Sequence, residues 1–394
     1  MRSTRHDLPW WSFVLLVSGC GSLSTEESKP RSPATEDSTP PHDSAEPHFS
    51  WGPIGFDPDT TPPDQLSALH LVRWTGTELE YNEGVLPYAL NTPLFSDYAT
   101  KDRVIWMPAG THATWSDDSV VDFPVGTAIL KTFLLSPDLT DPTAPRTIVE
   151  TRLLLRGETE WHAWPYLWRA DGSDADLHVR GEVFDYTFID ATGTSRTAHY
   201  LVPQRNQCVD CHETYNTSGE RALRPLGPEP WLIHDGTLLD TLVADGRLVG
   251  APDLATVTPA VDWDDVEARG VDSLSPDEVD IAARDYLHVN CAHCHSPNGI
   301  EGVTSQFFLD RGTTDRFHLG VCKRPGSAGE GGEDREFDIV PGDPQQSILW
   351  YRLSTEDVGA MMPDIGRSLA HNTGEALIWR WIAQMEPQDC EAVD

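Results

Sequence analysis

The chain has 394 residues and a formal net charge of −35, because 63 Asp and Glu residues outnumber 28 Lys and Arg residues. This charge argues against binding to nucleic acid or to anionic lipid surfaces, which are themselves negative; it favours basic partners, or serves solubility alone. The length allows two or three domains, and a hydrophobic share of 39% is enough for packed cores, which excludes a largely disordered chain.

The first nineteen residues have the pattern of an export signal, with two arginines followed by a short apolar run. The run ends in Val17-Ser18-Gly19-Cys20, which resembles the lipobox of bacterial lipoproteins and would make Cys20 the lipidated N-terminus. An ordinary cleaved signal is the alternative. Residues 20–50 are rich in Ser, Thr, Pro and Glu, which predicts a disordered tether. We therefore expect an exported lipoprotein that lies in the periplasm or at the cell surface. It would be anchored to a bacterial membrane, with the outer membrane favoured.

Residues 51–205 are predicted to form a β-rich domain. Short β-branched and aromatic runs, such as residues 103–106 and 127–133, alternate with turn sequences, which favours a sandwich or jelly roll. Asp171-Gly172 and the turn at residues 190–193 predict hairpins. Four aromatic residues are predicted either to fill the core or to form a ligand-stacking patch, namely Trp161, Trp164, Tyr166 and Trp168.

Seven cysteines are present, and four of them form two close pairs that are each followed by histidine. The motifs are Cys208-Val209-Asp210-Cys211-His212 and Cys291-Ala292-His293-Cys294-His295. This is the haem c attachment pattern, in which two thiols add to the vinyl groups of one porphyrin and the adjacent imidazole is the proximal iron ligand. A thioredoxin-like pair and a four-Cys zinc site are alternatives. Zinc pairs usually lie within about 20 residues of each other, whereas these lie much farther apart.

Cys322 and Cys390 remain once Cys20 and the two motifs are assigned. An exported protein folds in an oxidising compartment, where two leftover thiols usually pair. We therefore predict a disulfide between Cys322 and Cys390.

Residues 273–394 are predicted to form a mainly α-helical domain. Ser275-Pro276-Asp277-Glu278 has the sequence of a capping box with proline at the first helical position, and an apolar face then leads into Cys291. Asp343-Pro344 predicts a further short helix, and a final helix is expected from about Gly374. The residues between these two helices include Ala360-Met361-Met362-Pro363, and a thioether there would close the sixth position of the iron.

With these motifs, residues 275–385 resemble a class I cytochrome c fold and are similar to planctomycete-type cytochrome c domains. The resemblance implies that His295 is the proximal ligand and Met362 the distal ligand of the second haem, with residues 339–344 as the lead-in to the following helix. Met361 is the alternative ligand. Core packing is the alternative role of Met362.

Residues 206–272 form a predicted first haem-binding segment that departs from this pattern. The residues before Cys208 alternate like a strand, so no leading helix is expected. Methionine does not occur between His212 and Met361, which leaves histidine, another side chain, water or nothing as the sixth ligand. His234, next to an amphipathic segment, is a weak candidate. The other candidates are His199, His288 and Met107.

The segment Asn91-Thr92-Pro93-Leu94-Phe95-Ser96-Asp97-Tyr98 and the Gln207-Cys208 haem site are similar to those of uncharacterised bacterial di-haem lipoproteins. That resemblance implies a β-rich front half and two haems, but no reaction. The sequence as a whole predicts an exported, lipid-anchored c-type cytochrome that carries two haem c groups and passes electrons between redox partner proteins. The alternatives are an oxidoreductase that binds a substrate in the β-rich domain and a di-haem peroxidase with an open iron position. No catalytic residue is assigned.

Overall fold

The computed structural model describes residues 51–117, 119–215, 220–299, 306–326 and 329–392. The predicted signal, lipidation site Cys20 and tether lie outside the described residues. The chain from Trp51 to Asp394 forms one compact unit. Within the described residues, no helix has the length and apolar content that crossing a membrane requires.

The described residues contain β-strands followed mainly by α-helices, connected by short 3-10 turns. In chain order the elements are β1 Val72–Trp74, β2 Leu79–Tyr81, β3 Val85–Tyr88, β4 Thr100–Trp106, β5 Ala113–Thr114, β6 Ala128–Leu135, β7 Thr147–Arg156, β8 Trp161–Trp168, β9 Ala175–Leu177, β10 Glu182–Ile189, β11 Ser195–Val202, α1 Val209–His212, β12 Glu213–Tyr215, β13 Arg221–Leu223, α2 Leu238–Ala244, β14 Leu248–Val249, α3 Trp263–Arg269, α4 Pro276–Cys291, α5 Ile348–Ser354 and α6 Asn372–Ala383.

Six strands form an antiparallel sheet in the order β3-β4-β6-β7-β8-β9. The register places Leu130 of β6 beside Val104 and Leu153, which belong to the same buried cluster. Because side chains alternate along a strand, Ile129 and Lys131 point to the opposite face of β6. The structure therefore confirms the β-rich N-terminal region, and hairpins occur at both predicted turns, between β8 and β9 and between β10 and β11.

The hairpin of β10 and β11 packs against the large sheet through a separate cluster. Tyr200 and Val202 of the hairpin are buried there with Phe133 of β6 and Val149 of β7. The Tyr200 hydroxyl donates to the fully buried Glu150 carboxylate at 2.9 Å, which satisfies one of its acceptor atoms. The hairpin is thereby fixed over the sheet directly before the first cysteine motif.

The C-terminal region is helical, as predicted, and is built around the packing of α4 against α6. Ser275 and Glu278 form the expected capping box at the start of α4. The Trp381 indole on α6 donates to Asp280 on α4 at 2.8 Å. Helix α6 begins at Asn372, two residues before the predicted start. Asp343 caps a 3-10 turn rather than an α-helix, and α5 follows that turn.

Cys322 and Cys390 form a disulfide, the pairing expected from the sequence. It ties the chain end after α6 to the segment between α4 and α5. The bonded Cys390 is buried, so this covalent link lies within the packed helical region.

Residues 91–98 connect the sheet to the helical region. The Thr92 hydroxyl donates to the Val261 carbonyl at 2.8 Å, before α3. The backbone N–H of Phe95 donates to the side chain of Asn290 at 2.9 Å, one residue before Cys291. The segment thus fixes the C-terminal end of α4, which carries the second motif, against the β-rich region.

Candidate cofactor site

The two cysteine motifs lie in direct contact although 79 residues separate Cys211 from Cys291 in sequence. The Cys294 thiol lies 3.6 Å from the backbone carbonyl of Asp210. The Thr214 hydroxyl donates to the Asn298 carbonyl at 2.8 Å, just beyond each motif. The first motif occupies a 3-10 turn and the one-turn helix α1, and the second begins at the last residue of α4. No pattern in the sequence predicts this contact.

All four motif cysteines are free thiols and half-buried. Burial raises the pKa of each, to about 11 for Cys211 and to about 12 for Cys291 and Cys294. The thiols are therefore protonated at neutral pH. Each pair is open to covalent attachment rather than closed as a disulfide.

His212 has one ring nitrogen fixed by the backbone. Its Nδ1–H donates to the Arg224 carbonyl at 2.7 Å, which leaves the lone pair on Nε2. Burial lowers the pKa of this imidazole to about 4, although the hydrogen bond to Arg224 raises it. A neutral imidazole with its Nδ1–H held by a carbonyl is the form in which histidine binds a metal.

His295 has a similar environment with a weaker backbone contact. Burial and, to a smaller extent, Arg352 lower its pKa to about 4, although the Phe307 backbone raises it. Its Nδ1 is buried without a hydrogen bond of good geometry. The Phe307 ring lies edge-on to the imidazole at 5.3 Å between centroids. This imidazole is also neutral at pH 7.

A cavity of about 120 Å³, called the second cavity here, lies beside the second motif. It is lined by Cys291, Cys294 and His295 on one side and by Met362 and Phe307 elsewhere. The structure thus brings the predicted proximal and distal residues to one cavity. Met361 is not among its lining residues.

A cavity of about 580 Å³, the first cavity, lies beside Cys208 and His212. This volume lies within the roughly 300–1,000 Å³ that is typical of cofactor sites. One wall is the face of the large sheet that carries Ile129 and Lys131. A smaller bridging cavity of about 100 Å³ is lined by residues of both motifs, among them Cys208, Cys211, His212, Cys291 and His293.

The first cavity is rich in basic side chains. Burial lowers the pKa of Lys131 well below its usual value, and the cations Arg103 and Arg152 lower it further. Burial also lowers the pKa of Arg224. Within the described residues, neither the Lys131 amine nor the Arg224 guanidinium has an ion-pair or hydrogen-bond partner, whereas Arg152 pairs with Glu150. Since enclosed cations are normally paired, these two side chains suit an anionic ligand.

The residues proposed from sequence as the first haem's sixth ligand have other partners. The Nε2–H of His234 donates to the Leu254 carbonyl at 2.9 Å, and His234 does not line the three cavities. His288 lines the first cavity, but Glu229 and the Arg311 backbone occupy its two nitrogens. His199 is exposed beside Asp185, and Met107 is buried in a core cluster.

The four aromatic residues of β8 are buried, in agreement with core packing. Trp164 also lines the first cavity, with the Arg205 guanidinium stacked on its ring at 3.8 Å. Sequence reasoning missed Lys131, although it is the one charged residue in the otherwise apolar or neutral strand β6, and that isolation was a usable signal.

Comparisons of the chain with protein-family models, with curated proteins and with solved structures found no match. Among the described residues, no group of three or more His, Cys, Asp and Glu side chains is placed to hold a metal ion.

Proposed function

We propose that the chain is an exported, lipid-anchored c-type cytochrome that carries two covalent haems and transfers electrons. The observation that carries the proposal is the contact of the two motifs, with the Cys294 thiol 3.6 Å from the Asp210 carbonyl. Electron transfer between two cofactors requires that they lie close together, and a pair of unrelated sites would have no reason to pack motif against motif.

The residues of the two motifs are suited to binding haem c. Cys208 and Cys211 would hold the first haem, with His212 as its proximal ligand. Cys291 and Cys294 would hold the second, with His295 proximal. At each attachment the S–H bond adds across a vinyl C=C, so that sulfur takes one carbon and the proton the other. Bound haem c supplies a one-electron Fe(III)/Fe(II) couple whose potential depends on the axial ligands and on burial.

The surrounding residues have distinct tasks. The Arg224 carbonyl orients His212 by accepting from its Nδ1–H. Met362 lines the second cavity and would be the sixth ligand of the second haem. Lys131 and Arg224 are placed to neutralise carboxylates such as the propionates of a haem in the first cavity.

Two finer statements about the fold belong to this proposal. Residues 275–385 form a class I cytochrome c domain, which the capped α4, the closing α6 and the placement of Met362 support. The β-rich region is a sandwich-like structure, which the packing of the β10–β11 hairpin over the large sheet supports.

The first experiment is haem attachment in the full chain, produced with a c-type maturation system. Mass spectrometry and the pyridine haemochrome spectrum should give two covalent haems per chain. The paired variants C208A/C211A and C291A/C294A should each retain one haem, and the control C322A/C390A should retain both. A wild-type chain without covalent haem would overturn the proposal.

The enzymatic alternatives are separated by the iron spin state. An electron carrier has two low-spin, six-coordinate irons, whereas a peroxidase or substrate-oxidising enzyme needs an open position. Low-temperature EPR with and without cyanide measures this directly. A high-spin iron that binds cyanide would favour the enzymatic readings, for which the first cavity would be the substrate space.

Anchoring and partners follow from the sequence. We expect Cys20→Ser to move the protein from the membrane fraction to the soluble fraction, and mass spectrometry of the N-terminal peptide to find lipid on Cys20. The charge of −35 favours basic redox partners, so the rate of electron transfer to a basic partner should fall as ionic strength rises. A rate that is independent of salt would argue against such partners.

A further inference from the structure

His293 belongs to the second motif, but it lines cavities beside both motifs. It borders the first cavity and the bridging cavity together with Cys208 and His212 of the first motif. In the motif, Cys291, Cys294 and His295 have assigned roles, whereas the two intervening positions are free to vary in the attachment chemistry. The side chain of His293 is therefore available for a second task.

The ring of His293 has no hydrogen-bond partner among the residues that the structure describes. Its Nδ1 is buried without a hydrogen bond, and no described residue bonds to its Nε2. Since buried polar atoms are almost always hydrogen-bonded, a half-buried histidine whose buried Nδ1 has no partner, at a cofactor cavity, points to a missing ligand.

The other histidines around these cavities are occupied. Glu229 and the Arg311 backbone take both nitrogens of His288. His371 borders the bridging cavity, but it contacts the Tyr286 hydroxyl at 3.2 Å through Nδ1 and Glu267 at 3.5 Å through Nε2. Neither imidazole is free to bind iron without losing a buried hydrogen bond.

Lys131 is the remaining competitor, because a neutral amine also binds iron. Lys131 lines the first cavity and the bridging cavity, as His293 does. Its amine, however, lies over the Phe133 ring at 4.9 Å from the centroid. An imidazole with both nitrogens unoccupied is the better ligand.

From these observations we infer that His293 is the sixth iron ligand of the first haem, contributed by the motif that attaches the second. The inference rests on the proposed function. It makes the first site complete only when the second motif is folded against it. It also assigns the first haem two histidine ligands and the second haem histidine and methionine, so the first is expected to have the lower potential.

The test uses the full-length protein loaded with both haems. In His293→Ala, haem content by mass should stay at two, while low-temperature EPR and near-infrared magnetic circular dichroism should show one iron converted from low-spin to high-spin. Added imidazole should restore the low-spin signal, which a purely structural role would not do. The matched variant His288→Gln should keep two low-spin irons.

If His293→Ala does not bind the first haem, a second variant tests the inference. His293→Met keeps a ligand but changes its kind, so the bis-histidine signature should disappear and the lower of the two midpoint potentials should rise. Two haems with unchanged low-spin spectra in both variants would overturn the inference, as would loss of the low-spin signal in Lys131→Gln alone. A wild-type chain with no covalent haem would instead overturn the proposed function.

Discussion

Asp97 joins the β-rich region to the loop that carries Met362. The residue is 2% exposed, and its Oδ1 accepts from the backbone N–H groups of Ser368 at 2.7 Å and Leu369 at 2.9 Å. Its other oxygen accepts from the Ser368 hydroxyl at 3.1 Å. The neighbouring Arg367 donates to the Met362 carbonyl at 3.1 Å. Asp97 therefore fixes the loop whose methionine closes the second cavity.

We predict that Asp97→Ala lowers the free energy of unfolding by about 2–6 kcal/mol. The substitution leaves two backbone donors without an acceptor in a buried place, and each unsatisfied donor costs about 1–3 kcal/mol. Burial raises the pKa of Asp97, although three hydrogen bonds from Ser368 and Leu369 lower it. Asp97→Asn keeps the oxygen that serves both N–H groups and should cost no more than about 1 kcal/mol.

Urea unfolding of wild type, Asp97→Ala and Asp97→Asn, compared at equal m values, measures both differences. In the haem-loaded protein, the methionine–iron charge-transfer band should weaken in Asp97→Ala and persist in Asp97→Asn. An alanine variant within about 0.5 kcal/mol of wild type would refute the reasoning, since surface changes have effects of that size. An asparagine variant as unstable as the alanine variant would show that the loop depends on the charge of residue 97 and not on its acceptor oxygen.

Three further predictions concern stability. The disulfide links two cysteines that are 68 residues apart in sequence. Replacing both by alanine should lower the free energy of unfolding in urea by about 4 kcal/mol. Equal stability of the variant and wild type would contradict this. Gly374→Ala should cost about 1–3 kcal/mol, because the new Cβ overlaps the buried Tyr286 ring, whereas the control Gly55→Ala meets no atom within 4 Å. Burial lowers the pKa of His371 in the folded protein, so its neutral ring stabilises the fold above about pH 6.5 and this stabilisation is lost as the pH falls. In His371→Gln the free energy of unfolding should therefore depend less on pH. An unchanged pH dependence would contradict this.

The helical region could be predicted from sequence because its signals are local. The capping box at Ser275 and the apolar face of α4 lie within sixteen residues, and the structure reproduces the predicted start. The same holds for the turns of the β-rich region, where Asp171-Gly172 joins two paired strands. Asp343-Pro344 was only partly predictable, because proline opens a 3-10 turn as readily as an α-helix.

The first cavity could not be predicted, because its walls come from distant parts of the chain. Lys131 lies on β6, Arg224 follows β13 and His288 lies on α4, so their meeting depends on tertiary packing. The contact between the two motifs has the same origin. Local periodicity identifies which residues attach a cofactor, but it carries no information about which distant side chain faces it.

The two motifs are held in place by different secondary-structure elements. The second follows α4, whose last turn leads directly into Cys291. The first has only a 3-10 turn and one turn of helix, which are too short to be stable alone. In the proposed function, the sheet supports the first motif in place of a leading helix. β6 and β7 contribute Lys131 and Arg152 to the wall of the first cavity, and β11 leads into the segment that contains Cys208. The β-rich region is then part of the first haem site rather than a separate substrate-binding domain.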